Sequence, residues 1–79
     1  MNIENLVTMA NQIGAFYESM PDHNKSLHDI AEHIKKTWEP RMRREFLAHV
    51  DANRTDSGLS PIVLESVQVN WALLTPKDM

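Results

Sequence analysis

The segment from Trp38 to Arg44 combines an indole, a helix-breaking proline and three arginines within seven residues. Each guanidinium of Arg41, Arg43 and Arg44 is planar and can bind a carboxylate or a phosphate through two parallel hydrogen bonds. Trp38 and Met42 supply apolar surface beside these charges, and Trp and Arg are common energetic anchors of protein interfaces. The segment therefore predicts a partner-binding site.

Both kinds of side chain in this segment also have a simpler interpretation. The arginines could form a solvated face whose surface salt bridges with Glu39 and Glu45 contribute about 0–1 kcal/mol each. Trp38 stands at the end of an apolar stripe and could belong to the core. Residue spacing alone leaves these alternatives open.

The histidines are the only other residues whose spacing could support chemistry. Asp29 and His33 are four residues apart, as are His28 and Glu32, so each pair could place two ligands on one helical face. A metal site needs at least a third converging ligand. The chain also lacks a glycine-rich phosphate loop and a Gly-x-Ser-x-Gly elbow. We therefore expect surface histidines, no metal site, no catalytic residue and no enzymatic activity.

Length and composition restrict the class of protein. A chain of 79 residues can form one domain with a thin core. The absence of cysteine excludes thiol catalysis, zinc–thiolate sites and iron–sulfur ligation by this chain, and it is compatible with a reducing cytoplasm. A net charge of −3 does not favour binding to nucleic acid, whose phosphates are also negative. No apolar window approaches the roughly 20 residues of a membrane span, so we expect a soluble cytoplasmic protein.

Apolar residues recur at spacings of three and four, which predicts an all-α fold, a small three- to four-helix bundle in a single domain, residues 1–79. The first helix should cover about 3–19, with Asn2 as its N-cap. Met9, Phe16 and Met20 widen its apolar stripe. These three side chains either contact a second surface, outside the core, or pack around the core of the bundle.

Three further helices follow. The second should cover about 25–38, with Asn24 or Ser26 as its cap, and the third about 40–51, with Pro40 as its first residue. An exposed, mobile polar loop is expected at about 51–59. Ser60 and Pro61 predict the start of a fourth helix, about 61–70, followed by a C-terminal tail, 71–79. Strand-like alternation competes with helical spacing near the tail, and we expect helix because a lone strand would have no partner.

Three ordered motifs give the chain a family resemblance. They are Asn5–Ile13 followed by the aromatic pair Phe16-Tyr17, then Trp38–Arg43, and then Gly58–Val63. Together they resemble the delta subunit of bacterial NAD-dependent, molybdenum-containing formate dehydrogenase. The segment Leu64–Leu74 resembles this family less than the motifs do.

The resemblance implies a non-catalytic accessory subunit, without cofactor or metal of its own, that supports assembly or stability of a large catalytic subunit. The complex would oxidise formate to carbon dioxide and reduce NAD. Its catalytic and electron-transfer subunits would hold a molybdenum bis-molybdopterin guanine dinucleotide, iron–sulfur clusters, FMN and NAD. The predicted partner-binding residues are Met9, Phe16, Trp38, Arg41, Met42, Arg43 and Arg44.

Two other classes of function fit the same pattern. An independent helical module could self-associate as a homodimer, or act as an assembly chaperone, and so cover its surplus apolar surface. A nucleic-acid-binding protein could use the helix that carries Arg41 and Arg44, with binding that falls steeply as salt rises. The acidic net charge disfavours this last class.

Overall fold

The computed structural model describes residues 2–77, which contain five α-helices, a short 3₁₀ turn and no strand. The all-α prediction is therefore confirmed. The helices are α1 (Ile3–Glu18), α2 (His23–Thr37), α3 (Pro40–Asn53), α4 (Pro61–Val69) and α5 (Trp71–Leu74), and the 3₁₀ turn is Arg54–Asp56.

Helix α1 begins as its sequence predicts. Asn2 is the N-cap, and its side-chain oxygen accepts a hydrogen bond from the backbone N–H of Glu4 at 2.8 Å. Glu4 also places a negative charge in the first turn, where the helix dipole is positive. The helix ends at Glu18, one residue before the predicted boundary.

Helix α2 begins two residues earlier than predicted. Its N-cap is Asp22, whose carboxylate accepts a hydrogen bond from the backbone N–H of Lys25 at 3.0 Å. The predicted caps Asn24 and Ser26 are therefore wrong. Ser26 lies inside the helix, where it is buried and its hydroxyl donates to the carbonyl of Tyr17.

Helix α3 begins at Pro40 as predicted but continues to Asn53. The predicted loop at 51–59 is therefore wrong at its start, where the chain is helical and then forms the 3₁₀ turn. Its exposure is also only partial, because Ser57 is buried. The ring of half-buried His49 donates from Nε2 to the carbonyl of Ser57 at 2.8 Å and so fixes this segment to α3.

Helix α4 begins at Pro61, and Ser60 occupies the N-cap position without making a side-chain capping hydrogen bond. The helix ends at Val69, and α5 follows within the segment predicted as a tail. Helix rather than strand is thus confirmed here. Residues 78–79 of that tail lie outside the described residues.

The core is formed by one face of every helix, and α4 packs against both α1 and α2. A buried polar contact lies within this packing, since the hydroxyl of Ser66 donates to the carbonyl of Leu27 at 2.6 Å. The buried apolar residues are Leu6, Ala10, Leu27, Ile30, Ala31, Ile34, Trp38, Phe46, Leu47, Val50, Ile62, Val63, Val67 and Leu74.

Asn11 joins α1 to the segment before α4. Its amide donates to the carbonyl of Gly58 at 3.0 Å, and its oxygen accepts from the backbone N–H of Ser60 at 2.8 Å. Gly58 has a φ of 88°, a left-handed conformation that glycine adopts without strain. One side chain thus satisfies a donor and an acceptor where the chain turns towards α4.

Replacing Asn11 with alanine should lower the free energy of unfolding by about 1–2 kcal/mol. The change leaves the partly buried N–H of Ser60 without its partner, and an unsatisfied buried donor costs about that much. Urea denaturation followed by circular dichroism measures the loss. Replacing the exposed neighbour Gln12 with alanine is the matched control and should change stability by less than about 0.5 kcal/mol.

Candidate partner-binding surface

Three of the predicted partner-binding residues come together from three helical segments. Met9 on α1, Trp38 after α2 and Met42 on α3 line one open depression of about 390 Å³. The other residues that line it are Gln12, Ile13, His33 and Thr37. The break at Trp38-Glu39-Pro40 produces this arrangement, because it turns the chain so that Met42 lies across from Met9.

Trp38 itself belongs to the core. The side chain is only 4% exposed and packs edge-to-face on Phe46, with ring centroids 5.1 Å apart. Of the two interpretations of this indole, the core position is therefore the one observed. Trp38 is thus a core residue that also lines the depression beside Met9 and Met42.

Phe16 is the most exposed of the predicted apolar contacts. Its side chain is 64% exposed, and Met20 on the next turn is 42% exposed. The alternative in which these two residues wrap the core is therefore wrong. Phe16 follows Ile13 by three residues on α1 and packs edge-to-face on Tyr17, with ring centroids 5.0 Å apart. The ring is thus held in place while most of its surface faces outward.

We call the apolar surface formed by Met9, Ile13, Phe16 and Met42 the Phe16 face. Met9, Ile13 and Met42 are partly buried and rest on the core, whereas Phe16 stands out from it. Methionine adapts its shape to a partner, and a held aromatic ring loses little entropy on binding. The Phe16 face is therefore suited to recognition of another protein.

Arg41 lies at the edge of the Phe16 face, whereas Arg44 follows Met42 by two residues on α3 and so lies on a different side of that helix. Arg41 has 79% of its side chain exposed and pairs loosely with Glu45, with a nitrogen–oxygen distance of 3.7 Å. It also lines a second hollow together with Met42. Arg44 is half-buried and has no carboxylate partner within residues 2–77. The surface salt bridge considered for Arg41 is thus present, and such exposed pairs contribute little.

Arg43 points to a different part of the molecule. Its guanidinium donates to the carbonyl of Leu74 at the end of α5, at 3.2 Å. Its Nε is buried and has no hydrogen-bond partner. The three arginines therefore do not form one binding site, since Arg43 is separated from Arg41 and connects α3 to the C-terminal turn.

Two features were missed by reasoning from the sequence. The bridging role of Asn11 could have been predicted, because this polar residue lies between Val7 and Gly14 on the packed side of α1. The contact of Arg43 with Leu74 could not have been predicted from the sequence, since it depends on where α5 packs.

The depression at this surface is lined mainly by apolar groups, which suit contact with another protein. Within residues 2–77, no group of three His, Asp or Glu side chains is arranged to hold a metal ion. The depression beside Met9 is lined by thioether, aliphatic and indole groups together with a few polar side chains. None of the helices in the described part of the chain is long and apolar enough to cross a membrane.

Comparison with known proteins agrees with the sequence motifs. No curated protein and no solved structure matches the chain. A family model described as the NADH-dependent formate dehydrogenase delta subunit, FdsD, matches residues 5–67, which include all seven predicted partner-binding residues. With most of its 79 residues matched, the chain belongs to the family of NADH-dependent formate dehydrogenase delta subunits.

Proposed function

We propose that this chain is a non-catalytic accessory subunit that binds the large molybdopterin-containing subunit of a formate dehydrogenase and supports its assembly or stability. The observation that carries the proposal is the exposure of Phe16, at 64%, within the part of the chain that the family model matches. A protein gains nothing in its own stability from an aromatic ring held in solvent, whereas a partner surface gains a ready contact.

The charged edge of the Phe16 face supports the same proposal. Arg41 borders the apolar side chain of Met42, and arginine is enriched at protein interfaces. The pair of Arg41 with Glu45 is long and exposed, so Arg41 can exchange it for a carboxylate on the partner at little cost.

The cofactors of the complex belong, in this proposal, to the other subunits. This chain has no cysteine and so provides no thiolate for an iron–sulfur cluster. Molybdenum bis-molybdopterin guanine dinucleotide, iron–sulfur clusters, FMN and NAD are assigned to the catalytic and electron-transfer subunits, which carry out formate oxidation and NAD reduction in the cytoplasm. The delta chain then acts through binding alone.

Affinity purification of the tagged chain from its native cells grown on formate tests the proposal. We expect a large formate dehydrogenase chain to co-purify, identified by mass spectrometry and accompanied by molybdenum or tungsten in metal analysis. Recovery of the tagged chain alone, at every salt concentration tested, would contradict the subunit assignment.

Replacing Phe16 with aspartate should lower recovery of the catalytic subunit at least tenfold. A charge at the centre of an apolar contact must lose its water on binding, which costs more than the roughly 1.4 kcal/mol that a tenfold change represents. Helix content should not change, because the ring is exposed. Ala15→Asp places the same charge at the exposed neighbouring position and is the matched control. Equal recovery of both variants would remove Phe16 from the interface.

The predicted partner contacts of Arg41 and Arg44 are tested by the double substitution Arg41→Glu with Arg44→Glu. We expect weaker association with the helix content intact, and the defect should shrink as salt screens the charges. Unchanged association would remove both residues from the interface.

Self-association is the second candidate, and the exposure of both Phe16 and Met20 favours it. Two copies could cover these side chains in an isologous dimer. A molar mass that rises with concentration, and that Phe16→Asp returns to the monomer value, would support this function for the isolated chain.

A further inference from the structure

A third hollow lies where the C-terminal turn packs against the junction of α2 and α3, and it has a volume of about 650 Å³. We call it the C-terminal groove. The residues that line it are Lys35, Pro40, Arg43, Ala72, Leu73, Thr75, Pro76 and Lys77. Its surface is thus mostly apolar, with three cations and no carboxylate among the residues 2–77 that the structure describes.

The charge of this groove is opposite to that of the whole chain, which is −3. Four of the eight cations have carboxylate partners one turn away on their own helix or turn, in the pairs Lys25–Asp29, Lys36–Glu32, Arg41–Glu45 and Arg54–Asp51. The hydrogen bond from Lys25 to Asp29 raises the pKa of Lys25, as expected for such a pair. Within residues 2–77, the cations without a carboxylate partner are Lys35, Arg43, Arg44 and Lys77. Three of these four line the C-terminal groove.

Arg43 adds hydrogen-bond donors at the same place. One terminal nitrogen donates to the carbonyl of Leu74, and Nε is buried inside the protein, out of reach of a ligand in the groove. The remaining N–H groups of the planar guanidinium are on its terminal nitrogens, which can bind a carboxylate oxygen. Lys35 and Lys77 are exposed and can reach the same ligand from either side.

We propose that the C-terminal groove binds a partner-subunit segment that carries an acidic side chain next to an apolar one. The carboxylate is bound by Lys35, Lys77 and the terminal nitrogens of Arg43, and the apolar side chain packs on Ala72 and Leu73. This proposal rests on the proposed function, because it names a second contact between the delta chain and its complex. The Phe16 face and the groove would then hold the partner at two separate surfaces.

The lining of the groove favours a protein segment over a free anion. A phosphate or a small carboxylate would use the cations but leave Pro40, Ala72 and Leu73 in contact with water. The volume of about 650 Å³ lies within the range of roughly 300–1,000 Å³ that holds several side chains or a small ligand. The wall formed by residues 72–77 also lies beyond residues 5–67, so the family match does not predict it.

Charge reversal of the two lysines tests the proposal in the assembled complex. Lys35→Glu with Lys77→Glu should weaken association of the chain with the other subunits at least tenfold at low salt, with the difference shrinking as salt rises. Both side chains are exposed and unpaired within the described residues, so the variant should fold normally. The control, Lys36→Glu with Arg54→Glu, makes the same change in net charge at exposed positions away from the groove, and it should associate within about twofold of the unchanged chain.

Carbodiimide treatment of the purified complex identifies the occupant, because this reagent joins a lysine amine directly to a carboxylate in contact with it. Cross-links from Lys35 or Lys77 to an acidic residue of another subunit, mapped by mass spectrometry, are the expected result. Cross-links from these lysines only to a second delta chain, or none to any other subunit, would overturn the proposal.

The outcomes separate this proposal from the function on which it rests. If the tagged chain captures no formate dehydrogenase subunit, the accessory-subunit function fails. If the subunits are captured but Lys35→Glu with Lys77→Glu associates like its control and neither lysine cross-links, only the groove is excluded.

Discussion

Replacing Trp38 with alanine should lower the free energy of unfolding by about 3–5 kcal/mol, the usual cost of removing a large aromatic side chain from a core. The indole is 4% exposed, and its edge-to-face contact with Phe46 adds roughly 0.5–1.5 kcal/mol beyond burial. A domain of 79 residues has a total stability of about 4–12 kcal/mol. The variant should therefore be partly or largely unfolded.

Urea denaturation followed by circular dichroism measures this loss, and Trp38→Phe is the control. Phenylalanine keeps a ring against Phe46 and should retain a large part of the stability. If Trp38→Ala unfolded at the same urea concentration as the unchanged chain but lost its partner, the core role of this indole would be wrong. Trp38 would then act in the interface.

Replacing Gly14 with leucine should cost roughly 3 kcal/mol, at the upper end of the range for overpacked cores. A Cβ at this position would overlap Cγ2 of Val63 and would lie 3.4 Å from both Cγ2 of Ile62 and Oγ of Ser60. Val63 is fully buried and branched at Cβ, so it has no room to move aside. Helix α1 would have to separate from α4.

The substitution Ala15→Leu provides the matched control. It adds a leucine at the exposed neighbouring position on α1 and should change stability by less than about 0.5 kcal/mol. Gly14→Ala should fall between the two, since alanine gains about 1 kcal/mol of helix propensity while its methyl group meets Val63. Stability of Gly14→Leu equal to that of Ala15→Leu would show that α1 and α4 are not in close contact.

Helix existence was predictable because four segments repeat apolar residues at helical spacing. Pro40 and Pro61 also marked two helix starts correctly, since proline is favoured in the first turn. The predicted start of α2 and end of α3 were wrong because the helical residues beyond the predicted bounds are mostly polar. The first turn of α2 begins His23-Asn24-Lys25, and the last turn of α3 contains Asp51 and Asn53, so both resemble loop sequence.

The candidate site was predictable only in part, and the reason is geometric. Spacing on one helix shows which residues share a face, but not which neighbouring element covers that face. Met9 and Met42 were expected to contact a partner, and the structure brings them to one depression. Arg43 was grouped with Arg41 and Arg44, yet it faces α5, whose position depends on the packing of the whole domain. The C-terminal groove required the same information.

The burial of Leu74 constrains how the protein is made. Leu6 in α1 and Leu74 in α5 are both fully buried in one core cluster, and Asn11 bonds to residues 47 and 49 positions later. A ribosome that has synthesised only the first three helices has produced a chain whose α1 still lacks Gly58, Ser60 and Val63. Such contacts between distant positions form late, and a domain of this size folds as a unit. We therefore expect this domain to fold after α5 has been translated, so that Phe16 joins a finished surface only then.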